Sequence, residues 1–250
     1  GLALLDSQTA VAAVQPKLTV VDYFKAGDTL PKPVPVLFRM SDKKGIVIDD
    51  ELVPNPYTTK SELSVRWAPD GSEFYFDYNQ RGHQLFRVIA VDAKTGKVRT
   101  VVEETSQTFI DYAYKTSQNW LYKTGELLWM SERSGWAHLW LYDVKSGKVK
   151  QQVTRGEWVV RKVLRVDEEK RQVWFMACGL KSNEDPCQRH LCRVNLDGTG
   201  FVQMTQGDGE HRVLFAPNTT WFIDTYSRAD TAPISELRSS QDGRLVCVLE

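Results

Sequence analysis

The chain of 250 residues carries 32 basic and 32 acidic side chains, and its zero formal charge excludes a global field that would favour nucleic acid or an anionic membrane. Its length suits a single all-β domain with a substantial core, and no apolar run approaches the roughly 18 residues that a membrane-spanning helix needs. The mildly apolar stretch 2–14 is interrupted by Asp6 and follows no basic residue, so it makes a poor signal peptide, and any targeting sequence is expected to have been removed or to lie upstream.

In chain order, Leu18 to Phe24, Val34 to Met40 and Gly45 to Ile48 read as strands of an incomplete unit. Gly27 to Pro35, with its three prolines, reads as an extended crossing between elements. Leu63 to Trp67 opens the first full unit, and Trp67-Ala68-Pro69-Asp70-Gly71 reverses the chain, because Pro69 fixes φ and Asp70-Gly71 suits a turn. In Glu73 to Tyr78, Phe74, Phe76 and Tyr78 share one strand face and Glu73, Tyr75 and Asp77 the other, so one face is expected to pack and the other to be wetter. Gln84 to Val91 follows, then the turn at Gly96, and Val98 to Val102 closes the unit.

The same order then recurs. Phe109 to Tyr114 is expected to open the second unit, followed by Leu128 to Ser131, His138 to Tyr142, a turn at Gly147 and a closing strand Val149 to Val153. The third runs through Val159 to Val166, Trp174 to Met176, Leu191 to Val194, Gly198 and Phe201 to Met204. The fourth runs through Arg212 to Phe215, Trp221 to Asp224, Ile234 to Leu237, Gly243 and Leu245 to Leu249. The turn glycines at 96, 147, 198 and 243 are separated by 51, 51 and 45 residues. Strands and turns alone, repeating at such a period, are the signature of a β-propeller whose blades are four-stranded antiparallel sheets. The expected fold is all-β, about four and a half blades in one partial propeller over 1–250: residues 1–60 form an incomplete blade and linker, and residues 61–250 form four blades.

Chemistry-bearing residues are few. Cys178, Cys187 and Cys192 fall within fifteen residues, with Cys178 and Cys192 on adjacent strands of one hairpin and Cys187 in its loop. Spacings of nine and five match no common zinc pattern, which leaves a disulfide within the hairpin or free thiols. No metal site is expected, and no motif asks for a cofactor. Asn218-Thr219-Thr220 fits the glycosylation sequon. There is no G-x-S-x-G elbow, and without a nucleophile to serve, His83, His138, His190 and His211 read as satisfied blade residues. Glu103-Glu104 reads as a solvated pair, Glu168 to Arg171 as a hydrophilic turn, and Gly207 to Glu210 as a turn that falls short of a calcium site.

The run Ser131-Glu132-Arg133-Ser134-Gly135-Trp136-Ala137-His138-Leu139-Trp140-Leu141-Tyr142-Asp143 resembles the S-E-x-x-G-x-x-H-L-y-x-y-D signature of the dipeptidyl peptidase IV branch of the prolyl oligopeptidase family. Gln152 to Val160 resembles that branch's L-T-x-G-x-W-x-V element, Tyr23 to Asp28 its Y-P-K-A-G segment, and Phe215-Ala216-Pro217-Asn218 its last-blade F-S-P-D turn. The resemblance runs from about residue 18 to 250 and is most specific over 128–160.

It implies a ring of eight blades joined to an α/β-hydrolase that carries a Ser, Asp and His triad and releases dipeptides from peptide N-termini, often after Pro or Ala. That hydrolase is expected to follow Glu250, and this chain would hold no catalytic residue. The family's paired glutamates for the substrate amino group would fall before residue 18, where Gly1 to Lys17 has none, and Glu103-Glu104 lies in the wrong blade. A substrate-binding arginine would likewise fall in an earlier blade. The loop Thr108 to Lys115 corresponds to one that borders the substrate chamber, which makes Tyr112 and Tyr114 candidate chamber-lining residues, although aromatic packing between blades is the better explanation of each.

Trp67, Trp129, Trp136, Trp140 and Trp174 read as packing, and Trp136 and Trp158 are expected to be buried at blade contacts. Two functions compete. One is the propeller part of a secreted, periplasmic or cell-surface serine dipeptidyl peptidase, with a peptide substrate and a C-terminal hydrolase as partners. The other is a stand-alone interaction propeller that binds partners on its loop face. Open blade edges also suggest a homodimer, formed through the open ends or through an edge strand such as Leu18 to Phe24.

Overall fold

Short apolar runs broken by Gly and Asp turns leave each strand one nearby partner, the next strand along, and the chain folds accordingly into hairpins. The computed structural model describes residues 2–6, 17–21, 24–25, 27–57 and 63–249. Strands are the only regular elements among them. β1 (Leu2–Asp6) pairs antiparallel with β2 (Lys17–Val21), and β3 (Leu37–Arg39) with β4 (Lys44–Ile46). β1 was not anticipated in the sequence, and residues 22–23 of the strand expected to end at Phe24 lie outside the described residues.

Four four-stranded antiparallel sheets follow, each with its strands in sequence order. The first holds β5 (Val65–Trp67), β6 (Glu73–Asn79), β7 (Leu85–Asp92) and β8 (Val98–Thr105). The second holds β9 (Gln118–Leu121), β10 (Glu126–Ser131), β11 (His138–Asp143) and β12 (Lys148–Gln152). The third holds β13 (Val159–Asp167), β14 (Gln172–Cys178), β15 (Arg189–Asn195) and β16 (Val202–Gln203). The fourth holds β17 (Glu210–Phe215), β18 (Trp221–Arg228), β19 (Thr231–Ser239) and β20 (Leu245–Val248).

The second strand of each sheet shows why these sheets stack. In β10, Leu127 and Trp129 join Tyr75, Phe86, Val88 and Val101 in the core between the first two sheets, while Leu128 and Met130 face Val173, Phe175 and Ala177 of the third. β14 repeats the alternation, with Trp174 and Met176 meeting Phe222 of the fourth sheet. Such a strand is buried on both faces, so its sequence is almost continuously apolar. The same logic corrects the reading of β6: Phe74, Phe76 and Tyr78 pack toward Ile48 and Val53, but Tyr75 on the opposite face is buried against the second sheet, and of that face only Asp77 is exposed.

The expected opening strand of the second sheet is displaced. Residues 109–114 form a loop and β9 begins at Gln118. Asp111 Oδ1 accepts hydrogen bonds from the backbone N–H groups of Ala113 and Tyr114, and its carbonyl accepts from Lys115, so a side chain satisfies backbone donors that a ladder would need.

Each repeat-turn glycine sits against the backbone of the preceding unit. A Cβ on Gly147 (φ 66°) would lie 2.5 Å from the Thr100 carbonyl oxygen of β8, and one on Gly96 (φ 72°) 2.6 Å from that of Val47. Gly198 meets the carbonyls of Gln152 and Val153, and Gly243 that of Met204. The glycine is required twice over, for the left-handed conformation and for the close approach of main chain to main chain.

The last sheet leaves a row uncovered. Leu214 pairs with Ile223, Ile223 with Leu237 and Leu237 with Cys247, so these four share the face opposite Phe222 across the whole sheet. Leu214 is 68% exposed.

Candidate functional site

The loops that join the second and third strands of each sheet, and those that lead to the next sheet, emerge at one end of the stack. At this end the turn 80–84 and the loop 106–117 bring aromatic side chains together. His83 holds a left-handed φ of 58°, and its carbonyl accepts the Ile110 N–H at 2.7 Å, which ties one loop to the other. The Tyr112 ring stacks on the His83 imidazole with centroids 4.6 Å apart, while Tyr57 meets the same imidazole edge-on at 4.5 Å and Phe109 lies 5.3 Å away. Burial among these rings lowers the His83 pKa, and the neighbouring Tyr57 hydroxyl raises that of Tyr112.

Tyr57 and Tyr112 wall a cavity of about 340 Å³ together with Asp77, Tyr78, Asn79 and Gln118. Asp77 accepts a hydrogen bond from Gln118 Nε2 at 2.8 Å. The surrounding protein raises its pKa, while the Gln118 hydrogen bond and the Arg66 charge oppose the rise. Its carboxylate is nevertheless open to solvent, as a group on the wall of a concave site can be. Tyr78 is 1% exposed, its hydroxyl has no hydrogen-bond partner, and burial raises its pKa. An apolar and aromatic wall with the Asp77 carboxylate can hold a peptide side chain and accept a hydrogen bond from it, whereas the Tyr78 hydroxyl is sealed behind that wall. The structure thus places Tyr112 on a cavity wall and Tyr114 at the loop tip, 80% exposed and away from that cavity.

The remaining histidines clamp blades. Thr154 Oγ1 accepts the Leu139 N–H at 2.9 Å and lies 3.0 Å from His138 Nδ1, while His138 Nε2 is 2.9 Å from the Gly156 carbonyl. His190 repeats this with Thr205 Oγ1 at 3.2 Å and Glu184 Oε2 at 2.9 Å. The carbonyl and the carboxylate can only accept, so in both rings Nε2 carries the proton and Nδ1 accepts from the threonine hydroxyl. Burial lowers both pKa values. His211 lies with Nδ1 2.9 Å from both carboxylate oxygens of Asp224 and with Nε2 3.2 Å from the Gly207 carbonyl. Thr154 and Thr205 are buried, so neither hydroxyl is presented to a substrate. The sequence signal for these clamps was a recurring His-Leu and Met/Val-Thr-x-Gly, offset by about one repeat.

Glu104 is not solvated, as its pairing with Glu103 in sequence suggested. Glu103 binds Arg87 at 2.7 Å on the outside, but Glu104 is buried between the first two sheets. It accepts Trp129 Nε1 at 3.1 Å, Ser131 Oγ at 2.7 Å and Arg133 Nη2 at 2.6 Å. Arg133 in turn covers Trp140 and Tyr142 at 5.1 and 5.5 Å. The Ser131 to Asp143 signature therefore acts here as a docking element between blades. Trp129 and Trp174 are packed as expected, whereas Trp136 is 42% exposed, contrary to expectation, because it sits on the turn tip rather than on a strand. Trp158 is half-buried and stacks on Phe175 at 6.0 Å.

Of the cysteines, Cys192 pairs with Phe175 and Cys178 with Arg189, three positions apart along β14, so Cys178 and Cys192 point to opposite faces of the sheet. All four thiols are free in the structure. No cluster of three or more metal-ligating side chains occurs among the described residues.

Residues 4–233 match the sequence profile of the dipeptidyl peptidase IV (DPP IV) N-terminal region. Dipeptidyl peptidase 4 of Trichophyton equinum is 31% identical over 118 residues, 46% of this chain and 14% of that protein. Dipeptidyl peptidase 4 of Arthroderma otae is 32% identical over 116 residues, 45% of this chain and 14% of that protein. The crystal structure of Porphyromonas gingivalis dipeptidyl peptidase 4 superposes on all of this chain with a TM-score of 0.72 and 19% identity, and the chain covers 33% of it. At that identity the likeness is one of fold. The chain thus corresponds to about a third of the solved structure, and its matched stretch to a smaller share of the curated relatives.

Proposed function

The chain belongs to the family of dipeptidyl peptidase IV N-terminal regions, and on that premise we propose that it is the propeller part of a serine dipeptidyl peptidase, gating and orienting peptides for a C-terminal α/β-hydrolase domain. The observation that carries this reading is the cavity at the loop end of the stack, where Tyr112 and Tyr57 form an aromatic wall and Asp77 supplies an acceptor. Rings fixed by stacking on His83 lose little freedom when a peptide side chain packs on them, so they can align it before chemistry occurs elsewhere. Acting on peptides outside the cytoplasm, as a secreted, periplasmic or cell-surface protein, belongs to the same proposal.

The test uses the native protein captured with an antibody raised against this chain. The polypeptide should react with a fluorophosphonate probe for activated serines and release the dipeptide from Gly-Pro and Ala-Pro anilides. Tyr112→Ala in that protein should raise KM roughly threefold to tenfold with little change in kcat, as removal of a contact made equally in ground and transition states does. A captured polypeptide that takes no probe would sink the peptidase reading and leave a stand-alone interaction propeller. Full activity with an unchanged KM would remove Tyr112 from the chamber but keep the enzyme.

A further inference from the structure

We propose that Cys178 and Cys187 form a disulfide that closes the β14–β15 loop, and that glutathione disulfide or an equivalent small or protein disulfide is the oxidant. The register excludes Cys192 as a partner for Cys178, because the two lie on opposite faces of one sheet, Cys178 toward the last sheet and Cys192 in the core toward the second. Cys178, at the end of β14, is 5% exposed, and its thiol points at the chain just before β15: Sγ lies 3.6 Å from the Cys187 carbonyl oxygen. That contact sets the two residues side by side at the mouth of the β14–β15 loop, and a disulfide between them asks only that the exposed Cys187 side chain turn toward β14. Cys187 itself is exposed, and its backbone N–H is fixed by Asp185 Oδ1 at 2.8 Å.

The chemistry follows from the difference in exposure. The Cys187 thiol gives up its proton, and the thiolate attacks one sulfur of glutathione disulfide and expels glutathione as thiolate. The Cys178 thiolate then attacks the Cys187 sulfur of the mixed disulfide and expels the second glutathione. Two protons and two electrons pass from the protein to the two glutathiones, and one protein S–S bond replaces two S–H bonds. Burial holds the Cys178 thiol up at about 11, although Arg161 and Arg189 pull it down, so Cys187 is the entry point and the second attack is the slow one.

The staple would act on a loop with two other duties. Glu184 within it accepts a hydrogen bond from Nε2 of buried His190 and pairs with Lys181 at 2.6 Å. Asp185, Cys187 and Gln188 form one wall of a cleft of about 890 Å³, with Asp208, Glu210 and Arg228 among the residues that complete it. Closing the loop covalently fixes that wall and keeps Glu184 at the boundary between the last two sheets.

Trypsin separates the three clustered cysteines, because cleavage after Arg171, Lys181, Arg189 and Arg193 yields peptides 172–181, 182–189 and 190–193. The reduced protein is to be equilibrated in a mixture of oxidised and reduced glutathione, alkylated without reduction and digested. Free thiols should fall from four to two, with 172–181 linked to 182–189. Cys187→Ser, a change at an exposed position, should keep the native circular dichroism and lose the link. The oxidised protein should melt several degrees above the reduced one, as closure of a short loop predicts. Four free thiols after equilibration, or peptide 182–189 joined to 190–193, to Cys247 or to a second chain, would overturn the proposal.

Discussion

Glu104 accepts the indole N–H of Trp129 at 3.1 Å across the boundary between the first two sheets. The same carboxylate holds Ser131 and Arg133, so one side chain at the end of β8 satisfies three donors of the next blade. Glu104→Ala leaves them without that acceptor in a buried place, and the expected loss is about 3–5 kcal/mol. Glu104→Gln keeps the shape and one acceptor and should lose less. The urea midpoint of both variants checks this, and equal midpoints for Glu104→Ala and the parent would mean that water replaces the carboxylate.

Gly147→Ala is expected to cost at least about 2 kcal/mol, because alanine is strained at a φ of 66° and its Cβ would meet the Thr100 carbonyl. Gly125→Ala provides the control: its φ is 67°, but nothing lies within 4 Å of the added Cβ. The difference between the two variants in thermal unfolding isolates the contact between blades from the backbone strain. Equal losses would show that the close approach carries no energy.

Stability should fall as the solution is acidified through the histidine range. His138 and His190 have folded pKa values lowered from 6.5 by burial, so below that value the unfolded chain binds more protons than the folded one. Their contribution is complete above the unfolded value and is lost as pH drops toward the folded values. Unfolding at about pH 7.5 and about pH 5.5 should therefore show a lower midpoint at the acid end. A His138→Asn variant should show a shallower slope, and an unchanged slope would assign the effect to other groups.

Trp158→Ala should lose about 2–3 kcal/mol, since the ring stacks on Phe175 and lies 5.6 Å from Phe201. Trp136→Ala should lose under about 1 kcal/mol, as expected for an exposed turn residue. Chemical denaturation of the pair decides, and the reverse order would place Trp136 in a contact with another chain.

The apolar row Leu214–Ile223–Leu237–Cys247 should make the 250-residue chain self-associate. Multi-angle light scattering is expected to show dimers that Leu214→Lys returns to monomers, by placing a charge at the exposed end of the row. A parent chain that stays monomeric at high concentration would show that the row tolerates water.

The blade count, the strand pairs and the turn glycines were legible in the sequence because each depends on residues close together in the chain. Asp197-Gly198 and Ser146-Gly147 announce turns whatever surrounds them. The loop 109–114 was not legible: its alternating aromatics resemble a strand, and what diverts it, the Asp111 side chain that caps Ala113 and Tyr114 and the His83 carbonyl that takes the Ile110 N–H, leaves no strand-breaking pattern in the sequence. Glu104 was misread for a different reason, since its partners Trp129, Ser131 and Arg133 belong to the next blade and no local pattern links them. The cavity was half visible. Tyr112 came from the loop resemblance, but Tyr57, Asp77 and Tyr78 come from other units and meet it only in three dimensions.

The glycine contacts set the pitch of the stack largely through main chain. Gly96, Gly147, Gly198 and Gly243 each rest on a carbonyl of the unit before, with the Ile46 side chain also against Gly96, so the distance between neighbouring sheets at that end is gauged chiefly by backbone. Core residues between the sheets can then drift in identity, provided their volumes still fill a gap whose width is already fixed. Whole blades become interchangeable cassettes, and a unit cut at one turn glycine and joined at the next should seat on a foreign neighbour without retuning the spacing.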